Sequence, residues 1–132
     1  MKKTVSVFLA IILSLCIGIP ALADTPTPYL NYINGGTYAM PIDGNIAKPD
    51  MTISARNCTS VKLITTIMQK VNGEWTDYKA FSVEEPGRTA VIYNEWYVPS
   101  GYSYKCRFEW IAKINDKEVE HVTEYNEAKY VY

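Results

Sequence analysis

Residues 102–114 alternate between two kinds of side chain, and this pattern restricts the fold more than any other feature of the chain. One residue in two is apolar, and the residues between them are almost all polar or charged. A helix would scatter the apolar residues around its circumference, whereas a strand directs them to one face. We therefore predict a long β-strand whose buried set is Tyr102, Tyr104, Cys106, Phe108, Trp110, Ala112 and Ile114.

A turn at Asn115-Asp116 is expected to fold this strand back into a hairpin, since both residues tolerate positive φ. The hairpin pairs Trp110 with His121 and so places the histidine on the apolar face. The other face carries two cross-strand pairs of opposite charge, which favour this register over a one-residue slip. These pairs are Lys113 with Glu118 and Arg107 with Glu124.

Asn72-Gly73 is the preferred dipeptide of a type I′ turn and predicts a second hairpin, with strands at 61–71 and 74–83. Its register places Leu63 and Ile67 on one face. The opposite face is also apolar, so it has to meet solvent, the N-terminal segment or a partner. The apolar residues of that face are Ile64, Met68, Trp75 and Phe81, with Ile64 opposite Phe81 and Lys70 opposite Trp75.

Further strands are indicated by alternation at Met51, Ile53 and Ala55 and by the segment 89–98. No part of the mature chain has the period of a helix. We predict an all-β fold, a single small antiparallel β-sandwich of about six or seven strands. The predicted organisation is a signal peptide at 1–23, an extended or irregular lead-in with short strands at 24–49, and the β-sandwich domain at 50–132.

The N-terminal segment has the three parts of a secretory signal peptide. A Lys-Lys pair follows the first methionine, residues 5–19 are almost entirely apolar, and Pro20 ends any helix. Small residues in Ala21-Leu22-Ala23 predict cleavage before Asp24. The mature chain is therefore expected to be secreted, either extracellular or associated with the cell wall.

Removal of residues 1–23 leaves 11 basic and 14 acidic residues, a formal charge of −3. Basic residues alternate with acidic ones along the chain, so nucleic acid is not expected as a partner. No second apolar stretch approaches the length of a membrane span, so none is expected after cleavage.

Two cysteines remain in the mature chain, Cys58 and Cys106. Two cysteines in an oxidising compartment usually pair, and this disulfide would stabilise the fold by about 4 kcal/mol in the chain-entropy model. We predict that disulfide. Free thiols are the main alternative, and a metal site is disfavoured because it needs further ligands.

His121 is the only histidine, so any Ser-His or Cys-His site has to use it. A position beside Trp110 on the apolar face would keep it from substrate. The acids Glu95, Glu109 and Glu120 fall on outward strand positions, not across a cleft as glycoside hydrolysis requires. We therefore predict no enzyme, no catalytic, cofactor-binding or metal-binding residue, and no cofactor.

Tyr104, two residues before Cys106, resembles the tyrosine corner of immunoglobulin-like sandwiches, and Trp75 lies between the two cysteines as the core tryptophan of that fold does. The mature chain also resembles a loose group of small uncharacterised proteins that Gram-positive bacteria export. The shared motifs are Gln-Lys-x-x-Gly-x-Trp at 69–75, Gly-Tyr-x-Tyr at 101–104 and a Glu-containing return strand at 117–120. The resemblance implies an exported immunoglobulin-like β-sandwich and transfers no site residue.

Aromatic residues are abundant, with 11 tyrosines and 3 tryptophans, and most of them are expected to pack in the core or across strands. The alternative is that a subset, such as Trp75, Tyr78, Trp96 and Tyr97, forms an exposed platform for sugar rings or a protein partner. The predicted function is a secreted non-catalytic binding or structural module with an unknown protein or carbohydrate partner. A secreted antagonist, such as an antibacterial factor or enzyme inhibitor, is the alternative, and a small hydrolase is less favoured. The possible binding surface consists of Met68, Trp75, Phe81 and Trp96.

Secreted protein is expected to begin at Asp24, which the intact mass of material from the culture medium measures. Lipidation of Cys16 is the alternative, although the bulky Leu15 before it disfavours that modification. A species that retains Cys16 and carries added lipid mass contradicts cleavage before Asp24.

Overall fold

The computed structural model describes residues 32–132, in which all strand pairing is antiparallel. The predicted signal peptide and the first part of the lead-in, residues 1–31, lie outside the described residues. Within 32–132 no helix has the length and apolar character needed to cross a membrane. The prediction of an all-β fold is confirmed, and the strands are β1 (Ile33–Ala39), β2 (Ile42–Asp43), β3 (Ile46–Ala47), β4 (Asp50–Ala55), β5 (Ser60–Val71), β6 (Glu74–Pro86), β7 (Thr89–Tyr93), β8 (Trp96–Tyr97), β9 (Tyr102–Ile114), β10 (Lys117–Tyr125) and β11 (Lys129–Val131).

These eleven strands exceed the predicted number and form several sheets. One sheet has the order β1-β4-β7. The larger sheet has the order β10-β9-β5-β6, and β11 also pairs with the start of β9. The third sheet joins β2, β3 and β8, which have two residues each. β2 and β3 lie in the lead-in, where the sequence predicts short strands, and the predicted strand at 89–98 is divided into β7 and β8.

The two larger sheets share one hydrophobic core. Buried and more exposed residues alternate along β4 and over residues 103–110 of β9, as predicted. The predicted buried set of β9 is wrong at its ends, because Tyr102 is exposed and Ile114 is only partly buried, and Ile111 of the opposite face is buried as well. Tyr38 on β1 reaches across the core edge, with its ring centroid 4.9 Å from that of Phe108 and 5.7 Å from that of Trp110. The core residues of these strands are Met51, Ile53 and Ala55 of β4 and Tyr104, Cys106, Phe108, Trp110 and Ala112 of β9.

β5 and β9 form the central ladder of the larger sheet, from Ser60 opposite Lys113 to Gln69 opposite Tyr104. Each of these strands also pairs with a strand on its other side. Leu63 lies on the face that packs in the core, which we call the core face. The opposite face, which we call the outer face, carries Lys62, Ile64, Thr66, Met68 and Lys70 of β5 and Lys105, Arg107, Glu109, Ile111 and Lys113 of β9.

β6 follows the predicted register near its turn, where Trp75 lies opposite Lys70. Tyr78 is then an extra residue, and this β-bulge shifts the register by one position. A shift of one residue moves every later side chain to the other face. Phe81 therefore lies opposite Thr65 on the core face, and the prediction that it shares a face with Trp75 is wrong.

β10 keeps the predicted register through Glu118, which lies opposite Lys113 as predicted, and loses it at Val119, which forms a second bulge. His121 consequently lies opposite Ile111 on the outer face, whereas the prediction placed it on the apolar face. Glu124 turns to the core side of the strand, so the predicted pair of Arg107 with Glu124 is not formed.

The bulge in β10 also turns Glu120 away from the outward position predicted for it. Its Oε2 atom accepts hydrogen bonds from the backbone N–H groups of Tyr32, at 3.0 Å, and Ile33, at 2.9 Å. This carboxylate ties β10 to the start of β1. Residues 33–47 supply β1, β2 and β3, and β1 pairs with β4 along its length.

The structure corrects the predicted Cys58–Cys106 disulfide, since both thiols are free. Cys58 precedes β5 at the far end of the central ladder, where the N–H of Thr59 donates to the carbonyl of Lys113 at 2.8 Å. Cys106 lies opposite Ile67, and Lys113 is roughly 20 Å further along β9 at the rise of a strand. A disulfide requires Cα atoms within about 7 Å, so the two cysteines cannot pair in this fold.

We expect Cys106 to resist alkylation while the protein is folded. Burial raises the pKa of its thiol to about 12, and only the thiolate reacts. Iodoacetamide at about pH 8 should add at most one group to the native mature protein, at Cys58, and two in denaturant without reductant. Intact mass reads the number of adducts. Two adducts on the folded protein would contradict the burial of Cys106. No adduct in denaturant would contradict the finding that both cysteines are free.

Candidate functional site

The structure divides the four residues predicted as a binding surface into two pairs. Met68 lies on the outer face, and Trp75 lies there too, opposite Lys70. Phe81 and Trp96 contact each other on the core side of β6. The bulge at Tyr78 separates the pairs, because it exchanges the faces of β6 between Trp75 and Phe81.

Phe81 and Trp96 pack edge to face, with ring centroids 5.9 Å apart. Trp96 is held by the pairing of β8 with β3. Lys79, which the bulge brings to the same side, places its ammonium 4.2 Å from the ring centroid of Trp96 and 5.4 Å from that of Phe81. These distances suit cation–π attraction. Sequence reasoning missed Lys79, since the bulge decides its face.

Tyr104 is the buried member of a second aromatic group, which consists of tyrosines. Its hydroxyl donates to the carbonyl of Pro99 at 2.7 Å and accepts from the side-chain amide of Gln69 at 3.0 Å. Burial raises the pKa of Tyr104 above the usual value of a phenol, although the hydrogen bond from Gln69 lowers it. The phenol therefore remains neutral and keeps its proton for Pro99.

Two partly exposed tyrosines contact Tyr104. Tyr78 and Tyr102 pack edge to face against it, at 6.1 and 6.5 Å between centroids. Tyr97 follows Trp96 in β8. Burial is the main cause of the raised pKa of Tyr104, and Tyr78, Tyr102 and Tyr97 raise that pKa further. Tyr97 exposes 59% of its surface. We call the following rings the aromatic surface: Tyr78, Phe81, Trp96, Tyr97 and Tyr102.

Arg107 organises the charges of the outer face. Its guanidinium donates to both carboxylate oxygens of Asp77, at 3.1 and 3.0 Å, and to Glu109 at 3.3 Å. The hydrogen bonds that it donates to Asp77 raise the pKa of Arg107 above its usual value. This bidentate pair joins β9 to β6 across β5, in place of the predicted pair with Glu124.

His121 lies between two carboxylates on the outer face. Its Nε2 atom is 3.2 Å from Oε1 of Glu109, and its Nδ1 atom is 3.2 Å from Oε1 of Glu118. Carboxylates only accept, so both contacts are hydrogen bonds when both ring nitrogens carry protons. The imidazole is thus engaged with acids and not with a hydroxyl or thiol that it would activate.

Trp75 lies beside two lysines on the outer face. The Lys105 ammonium is 4.5 Å from its ring centroid and 4.9 Å from that of Tyr125, and the Lys70 ammonium is 5.8 Å from Trp75. Met68 lies opposite Lys105 and is buried. Sequence reasoning identified Trp75 and Met68 but missed Lys105 and Tyr125, because only the register of four strands brings them together.

Residues 32–132 contain no group of three or more His, Cys, Asp or Glu side chains arranged to hold a metal ion. Comparison with known proteins gives no matching family model and no match among curated proteins or solved structures. Function is therefore inferred from side-chain geometry.

Trp75→Ala is expected to lower the free energy of unfolding by only about 1 kcal/mol, because the side chain is half-buried on the outer face. Leu63→Ala is the matched core variant, since Leu63 is fully buried, and it should cost about 2–5 kcal/mol. Chemical unfolding of both variants beside the wild type measures the difference. Equal losses would show that Trp75 is a core residue.

Proposed function

We propose that this chain is an exported, non-catalytic module that binds a protein partner through the aromatic surface. The observation that carries the proposal is a set of partly open rings held by aromatic contacts, with Tyr78 and Tyr102 packed on the buried Tyr104 and Phe81 packed on Trp96. Partly exposed aromatic side chains held by their neighbours are typical anchors of protein interfaces. Packing in the core accounts for Tyr104, which is fully buried, but not for Tyr97 or Trp96.

The tilt of the rings favours a protein over a carbohydrate. The ring planes of Phe81 and Trp96, which both belong to the aromatic surface, meet at 69°. Two rings at this angle offer no common plane on which successive sugars stack. A protein surface, which is itself uneven, fits such rings better.

We also propose that the scaffold is an immunoglobulin-like sandwich. The sheet orders β1-β4-β7 and β10-β9-β5-β6 correspond to strands A-B-E and G-F-C-C′ of that fold. The hydrogen bond from Tyr104 to Pro99, a few residues upstream, has the form of a tyrosine corner. The chain departs from antibody domains at Cys58, which follows β4 and leaves the inter-sheet disulfide without a counterpart.

Export is proposed from the N-terminal sequence. Relationship to the small proteins that Gram-positive bacteria export is proposed from the motifs at 69–75 and 101–104. The absence of catalysis is supported by His121, whose two nitrogens face Glu109 and Glu118. A secreted antagonist that inhibits a protein would be a particular case of the same binding function.

Tyr97→Ala tests the aromatic surface, because Tyr97 is exposed and its truncation leaves the core filled. Tyr130→Ala is the matched control, since Tyr130 is another exposed tyrosine and lies opposite Ser103 on the outer face. Wild type and both variants are cross-linked to the surface and extracellular proteins of the producing cells, and the products are mapped by mass spectrometry. We expect one protein that cross-links beside Tyr97, with capture reduced at least about tenfold by Tyr97→Ala and unchanged by Tyr130→Ala.

The affinity of that protein for the module is then measured with purified components. Equal affinity of wild type and Tyr97→Ala would falsify binding through the aromatic surface. Retention of the wild type on a neutral polysaccharide, lost in Tyr97→Ala, would assign the surface to a carbohydrate and contradict the proposed protein partner.

A further inference from the structure

We propose that the outer face carries a second binding site, whose ligand is an acidic polysaccharide. The site consists of Lys70, Trp75, Lys105 and Tyr125, and we call it the lysine site. It goes beyond the protein-binding function proposed above. Because the two surfaces lie on opposite sides of β6, either can bind without the other.

Lys105 is the centre of the lysine site. Its ammonium is within cation–π distance of Trp75, at 4.5 Å, and of Tyr125, at 4.9 Å. These rings come from β6 and β10, the strands that flank the central ladder. The Lys70 ammonium is 5.8 Å from the centroid of the same indole. Two positive charges therefore share one aromatic ring.

The charges of the lysine site are not neutralised by the acids of the outer face. Asp77 and Glu109 pair with Arg107, and Glu118 pairs with His121. Among residues 32–132 no carboxylate oxygen lies within 4.0 Å of the ammonium of either lysine in the site. The site therefore presents positive charge to solvent, next to apolar rings.

The aromatic contacts also restrict the Lys105 side chain before an anion binds. A lysine side chain in water samples many rotamers and loses that freedom on binding. Contact with Trp75 and Tyr125 already restricts Lys105, so less freedom remains to be lost. A charge held in this way binds an anion better than an unrestrained surface lysine does.

The backbone beneath the site takes no part in recognition. β5 and β9 are central strands whose N–H and C=O groups pair with neighbours on both sides. A peptide bound by strand addition needs a free edge, so a ligand recognised by side chains fits this face better. A sugar with a carboxylate offers an anion to the ammonium groups and a C–H face to the rings. Since the mature chain is acidic overall, the attraction is local and sensitive to salt.

Affinity electrophoresis at about pH 7 tests the lysine site with polygalacturonate in the gel and neutral dextran as the reference polymer. Lys105→Met removes the charge and keeps the aliphatic stem. Lys117→Met is the matched control, since Lys117 is exposed and begins β10 at the other end of the sheet. We expect polygalacturonate to retard wild type and Lys117→Met, and Lys105→Met to bind at least about fivefold more weakly.

Three outcomes overturn the proposal. They are no retardation of the wild type, equal retardation of Lys105→Met in a variant that unfolds at the wild-type temperature, and equal binding to polyglutamate. The last result would assign the site to an acidic peptide. Tyr97→Ala should be retarded like the wild type, so failure of the lysine site and failure of the aromatic surface are distinguishable.

Discussion

The two central strands of the larger sheet, β5 and β9, are hydrogen-bonded along both edges, and the other features of the structure adapt to this constraint. An extra residue in a central strand would disrupt two hydrogen-bonded ladders at once, whereas an extra residue in a flanking strand disrupts only one. Both irregularities therefore lie in the flanking strands, at Tyr78 in β6 and Val119 in β10. The central ladder itself runs without a break from Ser60 to Gln69.

Each bulge exchanges the two faces of its strand, and the positions of the proposed binding surfaces follow from that exchange. The bulge in β6 leaves Trp75 and Asp77 on the outer face and turns Lys79 and Phe81 to the core side. Asp77 can then reach Arg107 across β5, which leaves the ammonium groups of the lysine site without an acidic partner. The bulge in β10 brings His121 to the outer face. It also turns Glu120 to the core side, where the carboxylate binds the backbone at the start of β1.

β6 is a long edge strand, and such strands tend to add a strand from another chain. Three features of β6 oppose this: the bulge at Tyr78, a lysine at position 79 directed to the core side, and Pro86 at the end of the strand. These devices are those that natural sheets use to protect an edge. Both proposed binding surfaces accordingly consist of side chains on the sheet faces and not of exposed backbone.

The sequence by itself determined the features that depend on neighbouring residues in the chain. Alternation gave the buried face of β9, and the turns at Asn72-Gly73 and Asn115-Asp116 have the positive φ values that those residues tolerate. Only the tertiary structure decided the bulges, the grouping of the aromatic rings and the separation of Cys58 from Cys106. The physical reason is that a bulge leaves the local pattern unchanged. Which residue is extra depends on how the flanking strand fits the central ladder and the opposing sheet, and each later side chain takes its face from that choice.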